Sequence, residues 1–329
     1  MLKDAWYDGG ARPYRHIADV RVKAEHQAKR KALAYVFAQK TIANLEPVIV
    51  DAILRLRGND TVDAETLDGR IYKAPFIQSL LDATVINIHP FRKAGVDYEN
   101  IIYYNTNARL RIPAAGDDIF SKLLKDNKGL DLNFTTGDLL AECLVLMNAR
   151  TETTIAAFTN TLYLIYKHPK VLYRLRIELD AACPAEGIAL YKTLAQLPYL
   201  KACVEESLRV RPPSSFGLLR VVPKGGRMIA SKWIDEGVTV SVPTYSLLRD
   251  EVAFDEPERY IPERYYLPFS LRPRAYIGRN IAYYKQLLVI STIVRLFDFE
   301  IPKEFELQII ERFNLNPGEI NLIYYRRRF

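Results

Sequence analysis

The chain has 329 residues, a net charge of +7 and a hydrophobic fraction of 49%, with 15 glycines. That composition is enough for one large folded core or two modest domains and argues against a disordered or low-complexity polymer. Its basic residues are scattered, and no DNA- or RNA-binding signature accompanies them, so the charge reads as a solvated surface with no nucleic-acid partner.

No apolar run approaches the ~20 residues of a membrane-spanning helix, and the start, Met1 to Trp6, turns polar at once. Cys143, Cys183 and Cys203 form no CxxC spacing and fall in apolar stretches, which reads as buried thiols in a reducing compartment. The four histidines lack metal-ligand spacing.

In chain order, residues 21–50 read as a helix. Ala24, Ala28, Leu33, Val36 and Phe37 form its apolar period, and Lys29, Arg30 and Lys31 its wet side. Residues 51–130 carry weaker signals, a Gly58-Asn59-Asp60 turn and breaks at Pro113 and Gly116 among them. Thr135 and Asp138 have capping-box spacing and start a long helix over about 138–167, closed by His168-Pro169. Further helices are expected over 171–182 and 194–210, the latter stopping at Pro212-Pro213. Strand chemistry follows in 218–222, 227–229 and 238–242, with a turn at Lys224-Gly225-Gly226. A last helix covers 279–296, and 305–312 with 319–325 read as a hairpin about Asn316-Pro317-Gly318. The closing Arg326-Arg327-Arg328 reads as a frayed, solvated tail.

Several segments carry chemistry in a fixed order. Glu206-Ser207-Leu208-Arg209 is an E-x-x-R on a helix, and Pro257-Glu258-Arg259-Tyr260-Ile261-Pro262-Glu263-Arg264 follows downstream. Phe269 to Ala282 then fits F-x-x-G-x-R-x-C-x-G-x-x-x-A at Phe269, Arg274, Gly278 and Ala282. On these motifs the chain resembles the cytochrome P-450 superfamily of haem-thiolate monooxygenases, of fungal type. The resemblance implies a mainly helical α+β fold with a long central helix and small β-hairpins. Residues 1–329 would form a single domain lacking its N-terminal part, with 1–130 a weakly matched remnant and 131–329 the recognisable region.

The resemblance also assigns roles. Glu206, Arg209 and Arg264 would form a charge network on the proximal face. His26 and Arg30, Arg220, and the loop residues Phe269, Arg274 and Gly278 would bind haem b, the cations through its propionates. Glu152 and Thr153, in Ala149-Arg150-Thr151-Glu152-Thr153, would be the acid–alcohol pair that serves dioxygen. The implied partners are a small apolar organic substrate and a flavin-containing reductase. Relatives often carry an anchor in the endoplasmic reticulum membrane. None is seen here, which points to a cytoplasmic or peripheral protein.

Three positions depart from the pattern. Tyr276 stands where the iron-ligating Cys belongs, Arg272 replaces the loop Gly, and Arg150 replaces the Gly of the long helix. A thiolate pushes electron density into iron, and a phenolate, as in catalase, is a different donor. The expected activity is therefore impaired or lost. The alternatives are a Tyr-ligated haem protein, or a haem-free one reusing the pocket for binding or acid–base chemistry. These changes, and Lys285 where relatives commonly have Glu, each correspond to one guanine-to-adenine change, the pattern of a decaying gene.

Overall fold

A computed structural model describes residues 2–5, 14–43, 46–47, 50, 91–112, 119–125, 128–184, 188–264, 266, 268–270, 275–311, 314–318 and 323–327. The Gly58-Asn59-Asp60 turn, Pro113, Gly116, Arg272 and Arg274 lie outside these residues, as do the side chains of Arg150 and Glu152. The chain divides into two compact units, one of residues 1–41, 87–150 and 216–247, the other of 42–86, 151–215 and 248–329.

In the first unit, helix α1 (Lys23–Ala34) gives way to turns and a short α2 (Gln39–Ala43), where one helix to residue 50 was expected. Its buried face is His26, Lys29 and Leu33, while Ala24 and Ala28 are exposed. The apolar period misplaced this face because Lys29 is drawn inward by buried Glu142 and half-buried Asp138. Helices α3 (Phe91–Arg111) and α4 (Ile119–Leu124) precede the long α5 (Thr136–Lys167), which runs on into the second unit. Thr135 and Asp138 make the reciprocal cap of α5. Thr135 Oγ1 donates to Asp138 Oδ2 at 2.7 Å, and Asp138 N donates to Thr135 Oγ1 at 3.2 Å.

The first unit's sheet is antiparallel in the order β1 (Leu2–Lys3), β2 (Arg220–Val221), β5 (Thr239–Val240). Between β2 and β5, β3 (Arg227–Ile229) pairs with β4 (Lys232–Ile234), a strand the sequence reading missed. The hairpin turn is Ala230-Ser231, both at positive φ, as a tight two-residue turn demands. Gly225-Gly226 instead turns the chain into β3, again at positive φ.

The second unit has the larger core. Helix α6 (Pro169–Ala182), α7 (Tyr191–Leu194), α8 (Pro198–Val210) and α10 (Arg279–Leu296) pack together, and α9 (Thr244–Leu247) belongs to the first unit. The helix expected from residue 194 starts at Pro198, because proline lacks the N–H a helix interior requires and fits its first turn. Leu200, Cys203, Val204 and Leu288 are fully buried there.

The C-terminal pairing differs from expectation. β7 (Ile309–Glu311) pairs with β8 (Leu315–Pro317), so Asn316 and Pro317 lie in a strand. β9 (Ile323–Arg326) pairs with β6 (Phe297–Glu300). The basic tail is tied down at Arg327, whose guanidinium donates to both carboxylate oxygens of Asp180 at 3.1 and 2.7 Å. The longest described helix is α5, and no described helix is long and apolar enough to cross a membrane.

Removing the α5 cap gives a direct test. Thr135→Ala should cost about 1 kcal/mol of stability, the usual worth of an N-cap hydroxyl, and Thr135→Ser should restore most of it. Urea midpoints check this, and an Ala variant indistinguishable from the parent would show that the cap is idle.

Candidate functional site

The proximal charge network is built from α8 outward. Glu206 and Arg209 lie one turn apart, and both are 0% exposed. Arg209 Nε donates to Glu206 Oε2 at 2.8 Å and Nη2 to Oε1 at 2.9 Å, a forked pair. Arg209 Nη1 donates to the carbonyls of Leu248 and Pro257, both at 2.8 Å, and Nη2 to that of Arg259 at 2.9 Å. All five N–H groups of the guanidinium are thereby used. Glu206 Oε1 also accepts the backbone N–H of Ile261 at 3.0 Å.

Arg264 joins as an ion pair, its Nη1 lying 3.8 Å from Glu206 Oε1. Its hydrogen bonds go to the carbonyls of Glu256 and Asp255. The three network residues named from the sequence are thus brought together. Phe254, whose ring lies 5.0 Å from the Arg209 guanidinium carbon, completes the enclosure.

The loop before α10 follows in the same unit. Tyr276 N donates to Phe269 O at 3.0 Å, closing the loop. Phe269 and Ser270 both hold positive φ, 72° and 57°. Bulky residues pay for that conformation with strain, of order 1–3 kcal/mol each. The Tyr276 ring stacks on Phe269 with centroids 5.8 Å apart and planes 23° apart. It also folds onto Gly278, the N-cap of α10: a Cβ added there would lie 2.7 Å from Tyr276 Cζ and Oη. A side chain there would push the phenol out of this position. Tyr276 is 37% exposed.

Phe269 also meets Tyr283 edge-on at 5.1 Å, and the Tyr283 hydroxyl donates to Glu205 Oε1 at 2.6 Å. Burial and that carboxylate push the Tyr283 phenol well above its ordinary range. Thr153 is half-buried on α5, one residue after Glu152.

In the first unit, His26 is buried and Arg30 half-buried, one turn apart on α1. Arg220 sits on β2 and donates to Leu219 O at 2.9 Å. Beside them lies a cluster the sequence did not announce. Lys29 Nζ reaches Asp138 Oδ1 at 3.2 Å and Glu142 Oε1 at 3.3 Å. Glu142 Oε1 also accepts the N–H of Ile17 at 3.0 Å. Its partners are 113 and 125 positions away, so no local spacing marks them.

The cytochrome P450 family model matches residues 107–324. The chain is 32% identical over 203 residues to cytochrome P450 monooxygenase efuB of Hormonema carpetanum, covering 57% of this chain and 40% of that protein. It is 26% identical over 353 residues to cytochrome P450 monooxygenase astJ of Aspergillus oryzae, covering 87% and 70%. Benzoate 4-monooxygenase bphA of Aspergillus niger is 25% identical over 421 residues, with 100% and 81% covered. The chain thus spans well under half of the first relative's length and most of the third's. Among solved structures, the cytochrome P450DA haem domain superposes with a TM-score of 0.76 at 20% identity, covering 95% of this chain and 80% of that one. The retinoic acid-bound cyanobacterial CYP120A1 gives 0.78 at 17%, covering 95% and 81%. These two likenesses establish the fold: mainly helical, with small sheets.

Truncating one partner of a buried pair strands the other charge. Arg209→Met should destabilise by about 3–5 kcal/mol, and Arg209→Lys should recover only part, having three donors in place of a five-donor fork. Chemical denaturation decides it. A lysine variant as stable as the parent would mean that the fork geometry is dispensable.

Proposed function

The chain belongs to the cytochrome P450 family, and on that premise we propose that it descends from a haem-dependent monooxygenase of small apolar organic substrates and is impaired or inactive in that reaction. The carrying observation is Tyr276. It holds the axial cysteine position of the F-x-x-G-x-R-x-C pattern, and its phenol folds back onto Gly278 and Phe269.

Haem is the cofactor of this family, and its fit to the residues present is uneven. The cations His26, Arg30 and Arg220, with Arg274 of the loop, have the chemistry to hold propionates. The residue at the axial position does not suit a thiolate-dependent reaction: a phenol is a harder donor and carries its oxygen on a longer arm. When bound, haem supplies the dioxygen chemistry. The chain's own residues would orient it and, at Glu152 and Thr153, hold a proton and a hydroxyl on α5. Electrons would come from a flavin-containing reductase. The intact Glu206–Arg209 network supports a retained proximal scaffold, because it is assembled without residue 276.

A second reading, a Tyr-ligated or haem-free pseudoenzyme that binds an organic molecule, draws on the same phenol, since Tyr276 sits at the positive end of α10 where a phenolate is favoured.

Haem titration of the purified protein, followed by the absorption of the reduced carbon-monoxide complex, tests these readings. The expected result is no red-shifted thiolate band in the parent and its appearance in Tyr276→Cys. A thiolate band in the parent sinks the proposal. A tight one-to-one complex without that band favours tyrosine ligation, and a stable protein that takes up no haem favours the repurposed binder.

A further inference from the structure

Glu142 is the least solvated carboxylate of the first unit, 0% exposed, and its Oε2 has no hydrogen-bond partner among the described residues. Its other oxygen joins two segments to α5. It accepts from Ile17 N in the turn that leads into α1, and from Lys29 on α1 itself. Lys29 shares the buried face of α1 with His26, and it directly precedes Arg30. One carboxylate oxygen therefore ties α5 both to the turn before α1 and to α1 itself.

We propose that the Lys29–Glu142 pair is the joint that sets where α1 presents His26 and Arg30, which makes Lys29 and Glu142 positioning residues for binding a dicarboxylate porphyrin. This rests on the haem-binding reading of α1 given above. Lys29 touches no cofactor atom in this account. It acts by fixing the helix that carries the two cations.

The joint responds to pH. Burial pushes the Glu142 carboxyl up to about 7, against the partial relief that Lys29 and Ile17 N–H provide. The groups facing it are Lys29 from α1, Asp19 from the preceding turn, and Asp138 and Cys143 from α5. Lys3 of β1 and Arg15 lie next to Asp19, whose carboxyl burial also raises. Burial raises the Cys143 thiol, which takes it out of the neutral range. Asp138 is held low: burial raises it, but bonds from Thr135 and Lys29 outweigh that. Among these carboxyl and thiol groups Glu142 is the one held at about 7, and His16, 3.5 Å from the Asp19 carboxylate, is the further titratable group of the cluster. Above about pH 7 Glu142 is ionised and draws Lys29. Below, Lys29 keeps its ion pair with Asp138.

The stability consequence has a definite sign. Because the folded-state value is raised above the ordinary 4.5 to about 7, the folded chain holds a proton that the unfolded chain releases in that window. Stability then falls as pH rises from 4.5 to about 7. Glu142→Gln, which keeps an acceptor for Ile17 N–H and removes the charge, should therefore be the more stable chain at alkaline pH and equal to the parent at strongly acidic pH.

The test uses metal-free protoporphyrin, a dicarboxylate without iron, so that residue 276 drops out of the measurement. Its affinity is read by fluorescence across the pH range around 7 for the parent, Glu142→Gln, Lys29→Met and the double variant. The porphyrin's own carboxylates are common to the parent and Glu142→Gln and cancel in their ratio. The two should bind equally on the acid side, and the parent several-fold tighter on the alkaline side. Lys29→Met should erase that gain, Lys29→Arg should return part of it, and the double variant should lose no more than Lys29→Met. A parent-to-variant ratio that stays flat with pH overturns the inference while leaving the porphyrin site standing. A parent that binds no porphyrin at any pH removes the haem-binding reading of α1, and the inference with it.

Discussion

Residues 248–278 contain no helix or strand among those described, yet they lead directly into the Tyr276 loop. A connection this long and irregular needs side chains to supply the order that backbone ladders supply elsewhere. Arg209 does this. Its guanidinium draws the carbonyls of Leu248, Pro257 and Arg259 onto α8, while Glu206 takes the N–H of Ile261. Two further bonds fix the same stretch: the Tyr260 hydroxyl to Cys203 O at 2.8 Å, and Arg249 Nη2 to Val210 O at 2.6 Å. Taking such a pair out of water is costly, and full use of both partners' bonding capacity is what offsets it. Net stability is a lesser outcome than geometry: the anchor decides where the chain re-emerges to form the loop before α10.

This arrangement separates scaffold from chemistry. None of the bonds around Arg209 involves residue 276, so this frame is assembled without the side chain that the loop presents. The loop tells the complementary story. Phe269 and Ser270 sit at left-handed angles, and the Tyr276 ring settles between Phe269 and the backbone of Gly278. Gly278 is one of the matches to the family pattern, and here the room it leaves is occupied by the Tyr276 phenol.

The sequence was most legible where local chemistry decides structure. The Thr135 cap and the His168-Pro169 stop bound α5 on both sides, and Glu206, Arg209 and Arg264 could be grouped because each lies in a segment with its own pattern. It was least legible where partners are remote or competing signals overlap. The run Leu194 to Val210 keeps a helical period across Pro198, but proline resets the helix start. Asn316-Pro317-Gly318 has turn composition, and yet Leu315 to Pro317 are held in a strand by pairing to Ile309–Glu311. Lys29 was placed on the wet face because a lone lysine in an apolar period gives no sign of two carboxylates more than a hundred residues away.

Glu206 and Glu142 show how one kind of interaction yields two behaviours. Each is a fully buried carboxylate paired with a cation, Glu206 within one helix and Glu142 across two. Both oxygens of Glu206 are bonded, and its partner arginine grips them with a two-pronged fork. Such a pair serves as a fixed anchor. Glu142 has one bonded oxygen and one without a partner, and its lysine is divided between two acids. Desolvation is then only partly compensated, and the proton is held up to about 7. The difference between lock and joint lies in the count of satisfied lone pairs rather than in burial, which is the same for both.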